Sequence, residues 1–165
     1  MKGSDKFIIG IVAAIALLVI VAFTVAFLRP KPTYQPEDTP EGVAHNYLFA
    51  LRQGDYARAY SYLSPKLEGY PDSVGAFAEN IWSQRWNFGV DDNSITSRVA
   101  AARHVTDEHV LVSVSERQLY QNGLFGSGGH SHTFDMALRR ENGQWKIITS
   151  DFYWASCWEE PDGCR

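Results

Sequence analysis

The sequence predicts an α+β protein in two parts: an N-terminal transmembrane helix, then a domain of three helices followed by a curved antiparallel sheet. Three observations lead there. Residues 7–28 carry no charge. From Thr39 to about Ile81, apolar residues recur at helical spacing. From about Asn93 the period changes to two, and Asn142-Gly143 supplies a hairpin turn between two such runs.

The run from Phe7 to Leu28 is 22 residues long. At 1.5 Å per residue it reaches about 33 Å, enough for a hydrocarbon core of about 30 Å. The competing reading is a cleaved signal peptide, whose apolar region is typically about 7–15 residues and ends in small side chains. Here the run is longer and ends Val25-Ala26-Phe27-Leu28-Arg29-Pro30, bulky where small residues are wanted. The reading adopted is therefore a short tail over residues 1–6, a span over 7–28 with the lipid bilayer as its partner, and a Pro-rich linker over 29–38. Lys2 and Lys6 precede the span and Arg29 and Lys31 follow it, so the positive-inside rule assigns no orientation.

From Thr33 onward, 11 Lys and Arg stand against 18 Asp and Glu, a net charge of −7. Such a domain repels phosphate backbones, which argues against a nucleic-acid partner. Aromatic residues make up 13% of the chain, with five Trp, so it is not a disordered tail. Two Cys are too few for a disulfide framework or a structural zinc site. They stand in Cys157-Trp-Glu-Glu-Pro-Asp-Gly-Cys164, where Pro-Asp-Gly turns the chain back and can bring the sulfurs together. A bond between them implies an oxidising compartment and two unrelated thiols do not; the reading adopted is the bond, with the domain outside the cytoplasm at the cell membrane.

The helices are read from caps and periodicity. Thr39-Pro40 serves as N-cap and first helical position, with Val43, Tyr47, Leu48 and Leu51 on one face and Gly54 ending the helix. Asp55 caps a second helix with Tyr56, Ala59, Tyr60 and Leu63 inward, stopped by Ser64-Pro65. A third runs from about Ser73, capped by Asp72, with Val74, Phe77, Ala78 and Ile81 facing the core.

Strands are expected over Ser94–His104, His109–Leu119, His130–Arg140 and Trp145–Trp154, with a Gly-rich loop over Tyr120–Gly129. With Asn142-Gly143 as the turn, Arg140 pairs with Trp145, Leu138 with Ile147, Met136 with Thr149, Phe134 with Asp151 and His132 with Tyr153. Arg139 faces Lys146 on the other side, a like-charge pair that belongs in water. The face with Leu138, Ile147, Met136 and Phe134 is thus the inner one, and it becomes polar at His132, Asp151 and Tyr153.

The stretch Tyr47-Leu-Phe-Ala-Leu-Arg-Gln-Gly-Asp-Tyr-Ala-Arg-Ala-Tyr-Ser-Tyr-Leu-Ser-Pro65 resembles the helix–Gly-Asp–helix opening of bacterial membrane-anchored members of the nuclear-transport-factor-2-like superfamily, the ketosteroid-isomerase-like cone. Asn142-Gly-Gln-Trp-Lys-Ile147 resembles their final hairpin. The resemblance covers residues 39–155 and implies a cone-shaped domain there, with residues 156–165 as a tail beyond the usual pattern. It implies no single activity, because the superfamily includes isomerases, dehydratases, transport adaptors and accessory domains without chemistry.

Three features invite a chemical reading. His130 and His132 form a His-x-His on one strand face, but zinc sites need three or four ligands, so no metal is assigned. His132, Asp151 and Tyr153 are the pocket candidates: superfamily enzymes use such residues for proton transfer, while the plainer reading is a hydrogen-bonded rim. Trp82, Trp86, Phe88 and Trp154 line a pocket or a partner surface, or are core. Phe152 and Trp154, placed with Arg139 and Lys146 on the outer face, are the partner-surface candidates. No catalytic residue and no cofactor are assigned. The leading expectation is a single-pass, membrane-anchored, non-catalytic accessory or assembly subunit, with other membrane subunits or a second copy as partners. The alternative is a small-molecule-binding or proton-transfer domain using the cone cavity.

Overall fold

The computed structural model describes residues 2–28, 33–89, 95–122 and 126–164. Residues 29–32 of the expected linker, Ser94 of the first expected strand and 123–125 of the expected loop lie outside the described residues. The chain forms two compact units, Met1–Thr33 and Tyr34–Arg165. The first is a helix, α1 (Lys2–Leu28), which contains the apolar run Phe7–Leu28. That run is long and apolar enough to cross a membrane. Its Thr24 hydroxyl donates back to the Ile20 carbonyl at 2.8 Å, so the run exposes no unpaired side-chain donor there.

The second unit holds α2 (Pro40–Gln53), α3 (Tyr56–Ser61), α4 (Val74–Ser83) and four strands: β1 (Ile95–His104), β2 (His109–Asn122), β3 (Gly126–Glu141) and β4 (Gln144–Ser150). A 3₁₀ turn, Ser156–Glu159, follows. The strands form one antiparallel sheet in chain order. The expected caps close α2: the Thr39 hydroxyl accepts from the Gly42 amide, and Gly54 ends the helix in the left-handed region. At α4 the cap is Ser73 and not Asp72, because the Ser73 hydroxyl accepts the Ala76 amide three residues on. Val74, expected inside, is exposed at this first turn, while Phe77 and Ile81 are buried.

The inner stripe of β2, Val110, Val112 and Val114, is fully buried, as are Met136 and Leu138 of β3 and Ile147 of β4. Asn142 and Gly143 both take positive φ, 50° and 83°, the geometry of a type I′ turn, and Arg140 pairs with Trp145 and Leu138 with Ile147 as expected. Two features of the sheet differ from the sequence reading. First, β2 and β3 continue through most of the Gly-rich stretch, pairing Leu119 with Gly129 and Asn122 with Gly126. A ladder needs backbone groups and no side-chain alternation, so the period of two was absent there although the strands were not. Second, β4 carries a bulge between the partners of Leu138 and Ala137, so Met136 pairs with Ser150 and not Thr149. One extra residue reverses every later side chain. The strand then stops at Ser150, well short of Trp154.

The segment after α3 also joins the sheet. Leu63, expected as the last inward residue of that helix, instead bridges to Ile147, with the Ser64 amide donating to the Ile147 carbonyl at 2.9 Å. Buried Glu141 closes this corner. It accepts from Arg139 Nε at 2.8 Å and from the Ser64 hydroxyl at 2.9 Å. Burial raises its carboxyl pKa, but the bonds from Arg139 and Ser64 outweigh burial and hold it below 4.5. A carboxyl lowered in the folded state contributes stability that is complete above its unfolded pKa and is lost as pH falls through the folded value. The melting temperature should therefore drop below about pH 4.5, and Glu141→Gln should make that drop shallower. An identical pH profile for the variant would remove Glu141 as a source of acid sensitivity.

The tail folds back into the core. Cys157 and Cys164 are joined in a disulfide with Cα atoms 5.0 Å apart. Between them Trp158 is fully buried, stacked on Phe77 at 5.2 Å and edge-on to Trp154 at 4.9 Å. The loop seats on Gly69, whose amide donates to the Trp158 carbonyl at 3.0 Å. A Cβ at Gly69 would lie 2.1 Å from the Cys157 carbonyl oxygen, so only glycine allows this approach.

Candidate functional site

The inner stripe of β2 continues Val110, Val112, Val114 and then Glu116, a carboxylate only 3% exposed. The register sets three polar residues in a row across three strands: Ser97 of β1 pairs with Glu116, and Glu116 pairs with His132 of β3. Tyr153 arrives over this row from the segment after β4, and its hydroxyl donates to Glu116 Oε1. His132 Nε2 lies 3.3 Å from the other oxygen, Oε2, an ion-pair distance without hydrogen-bond alignment. On the far side Arg52 donates to the Ser97 hydroxyl.

Tyr153 is held in a strained position by several contacts. Its φ is 57°, the left-handed region that an aromatic residue seldom adopts. Such backbone costs about 1–3 kcal/mol and persists only where surroundings over-determine it. Here the Tyr153 amide donates to the Asn87 carbonyl at 3.3 Å, and its carbonyl accepts from the Tyr47 hydroxyl at 2.6 Å. The Asn87 side chain also donates to the Trp154 carbonyl at 2.6 Å. The turn after α4 thus clamps the turn after β4. Burial, then the bond to Glu116, pushes the Tyr153 phenol well above its usual value of 10, with Ser97 and Arg52 acting the other way.

A cleft of about 320 Å³ opens above the row, lined by Arg85, Trp86, Glu116, His132, Phe152 and Tyr153 among others. The His132 ring lies 5.0 Å from Phe152 and 6.1 Å from Phe134. A second cleft, lined by Arg52, Gly54, Tyr56 and Phe88, shares Gly89, Ile95 and Tyr153 with the first. The site is therefore an aromatic-walled cleft with a polar floor. Glu116 Oε1 accepts from Tyr153 and Oε2 lies at ion-pair distance from His132, so the carboxylate sits between those two groups, and they in turn line the cleft.

Of the residues expected at the pocket, His132 and Tyr153 are brought together there and Asp151 is not. Past the bulge and the end of β4, Asp151 is exposed on the outer side, where its Oδ2 accepts from the Asp135 amide at 3.0 Å. Of the outer-face pair, Phe152 is 41% exposed but borders the cleft, and Trp154 is buried, 4% exposed, against Trp158. Trp154 is thus a core residue and no partner surface, because the bulge voids the expected register, the strand ends at Ser150 and the following turn packs Trp154 against Trp158. Phe88 is also core, while Trp82 and Trp86 are exposed. His130 stacks on His132 with centroids 6.2 Å apart. Among the described residues no group of three His, Cys, Asp or Glu is placed to hold a metal.

Glu116 is the residue the sequence reading missed. The signal was present: it occupies the next inward position of a strand whose alternation was plain, and a charged residue continuing a buried stripe marks a functional or structural site.

No protein-family model and no curated protein matches the chain. Several solved structures are similar. A ketosteroid isomerase-like protein from Erwinia carotovora atroseptica is 14% identical, with a TM-score of 0.45 over 67% of this chain and 88% of that one. A nuclear transport factor 2-like superfamily protein from Salmonella enterica serovar Typhimurium is 12% identical, with a TM-score of 0.45 over 70% and 89%. The association domain of C. elegans CaMKII is 12% identical, with a TM-score of 0.44 over 66% and 87%. The structural neighbours of this chain thus include nuclear-transport-factor-2-like and ketosteroid-isomerase-like proteins, and the likeness is one of fold alone.

Proposed function

We propose that the folded unit is a non-catalytic small-molecule-binding domain, tethered to a membrane by Phe7–Leu28, whose site is the cleft above Ser97, Glu116 and His132. The observation that supports this is the buried Glu116, aligned with His132 and Tyr153 beneath an open aromatic-walled cleft. A buried carboxylate costs stability unless it is well partnered, and a core built for packing alone is better served by an apolar residue there. The assembly reading drawn from the sequence loses one of its two expected surface residues, because Trp154 is buried while Phe152 stays exposed. The proton-transfer reading needs a base exposed to the ligand, whereas Glu116 is only 3% exposed and its Oε1 accepts from Tyr153.

The ligand class proposed for this cleft is a flat apolar ring carrying one hydroxyl, set against its aromatic lining and hydrogen-bonded near His132. 2-Naphthol is a suitable probe, titrated by its fluorescence against the full chain in detergent with empty micelles as reference. Saturable binding is expected, and His132→Ala should weaken it by about tenfold, the equivalent of ~1.4 kcal/mol. Asp151→Asn should bind like wild type. Equal affinity of wild type and His132→Ala, with both folded, would refute the assigned site.

A further inference from the structure

Trp86 is 82% exposed, and Trp82 and Phe152 are also left in solvent. Arg85 joins these side chains into one patch. Its guanidinium carbon lies 5.7 Å from the Trp82 ring centroid, and it lines the Glu116 cleft together with Trp86 and Phe152. The patch is therefore the rim of the cleft. An aromatic cluster of this kind marks a surface that meets something other than water.

The path of the chain indicates what that is. Tyr34 packs edge-on to Phe49 at 4.9 Å and donates to Asp55 at 3.1 Å, at the C-terminal end of α2. Gln35 then pairs with Asn46, and Thr39 caps the helix start. Residues 34–39 thus run back along α2, and the chain enters the domain from the C-terminal end of that helix. Arg52, Gln53 and Gly54 at this end line the second cleft, which shares Gly89, Ile95 and Tyr153 with the first. Cleft rim and chain entry lie at one end of the domain. Five residues separate Leu28 from Tyr34, a reach of roughly 20 Å at about 3.5 Å per residue. A tether of that contour length holds Tyr34 within roughly 20 Å of the end of the span.

The side chains suit a lipid interface. Trp rings settle at headgroup depth, apolar face down and N–H toward water, and an arginine stem lies along the apolar surface with its charge outward. With a net charge of −7 on the domain, the attraction is apolar and not electrostatic, which points to a zwitterionic surface. We propose that Trp82, Arg85, Trp86 and Phe152 rest on the lipid interface of the anchoring bilayer and hold the mouth of the Glu116 cleft against it. This rests on the reading of Phe7–Leu28 as a membrane anchor. Its consequence is that a ligand of the cleft arrives from the lipid phase.

The test uses the full chain reconstituted in phosphatidylcholine vesicles, with and without acyl chains brominated near the headgroup. Trp145, Trp154 and Trp158 are buried in the domain, so bromine contact reports on Trp82 and Trp86. The protein should float with the vesicles, and its emission should be quenched in the brominated ones. The double variant Trp82→Tyr, Trp86→Tyr should lose that quenching with an unchanged melting temperature. Floating protein that is not quenched, as a protein-binding patch would give, overturns the docking while leaving the anchor standing. Equal quenching in the double variant overturns it too. Protein left at the bottom of the gradient refutes the anchor itself and the docking with it.

Discussion

Trp158→Ala should destabilise the folded unit by about 3–5 kcal/mol, the cost of replacing a fully buried large aromatic by alanine. Trp158 makes ring contacts with Phe77, Trp154 and Phe88, the last at 5.9 Å, and its indole N–H donates to Asn80 Oδ1 at 2.9 Å. Truncation removes the ring area and leaves a cavity between α4 and the tail, which the disulfide loop on Gly69 is poorly placed to close. Domains of this size are stable by about 5–15 kcal/mol, so the loss is a large share of the total. It should lower the melting temperature of the full chain in detergent by on the order of 10 °C. Glu160→Ala, exposed in the same loop, should melt like wild type. The effect should also reach the cleft, because α4 leads into the turn through which Asn87 clamps Tyr153. A variant that melts like wild type would show that residues 156–164 are an appendage and not part of the core.

The second large effect is at the hairpin. Ile147 is fully buried, and its amide and carbonyl pair with Tyr62 and Ser64 on the far side of β4. Ile147→Ala should cost about 2–5 kcal/mol. Its neighbour Lys146 points the other way and donates to the Ser61 carbonyl at 2.6 Å from an exposed position, so Lys146→Ala should cost about 1 kcal/mol or less. Arg139, opposite Lys146, is drawn off to Glu141 at 2.6 Å, so removing Lys146 relieves little. Chemical denaturation of the two variants checks this. Equal losses would mean that the hairpin register is wrong by one residue.

What was legible in the sequence was whatever neighbouring residues dictate. The apolar run Phe7–Leu28, the Thr39 cap, the Gly54 stop, the alternating valines of β2 and the Asn142-Gly143 turn all act within a few residues, where dihedral preference and side-chain period leave one answer. Two of those local rules, the turn and the alternation, sufficed to pair Arg140 with Trp145 and to put Ile147 inside. The places where the reading failed are those where one distant contact overrides local pattern. The Ile148 bulge is invisible in a β-branched run, yet it removes Asp151 from the site. The positive φ of Tyr153 is stabilised by Asn87 and Tyr47, residues far away in sequence, in the turn that seats Trp154 against Trp158.

The sequence by itself determined that this chain is an apolar helix followed by an acidic α+β domain, and that His132 lies toward one end of its inner sheet face. Only the tertiary structure decided what meets it there. Glu116 became the centre of the site because strand pairing set it between Ser97 and His132 and because the turn after β4 lowered the Tyr153 hydroxyl onto it. Period and propensity are properties of short stretches, whereas a buried polar cluster is a property of three strands and two turns meeting at one point, and no short stretch specifies that meeting.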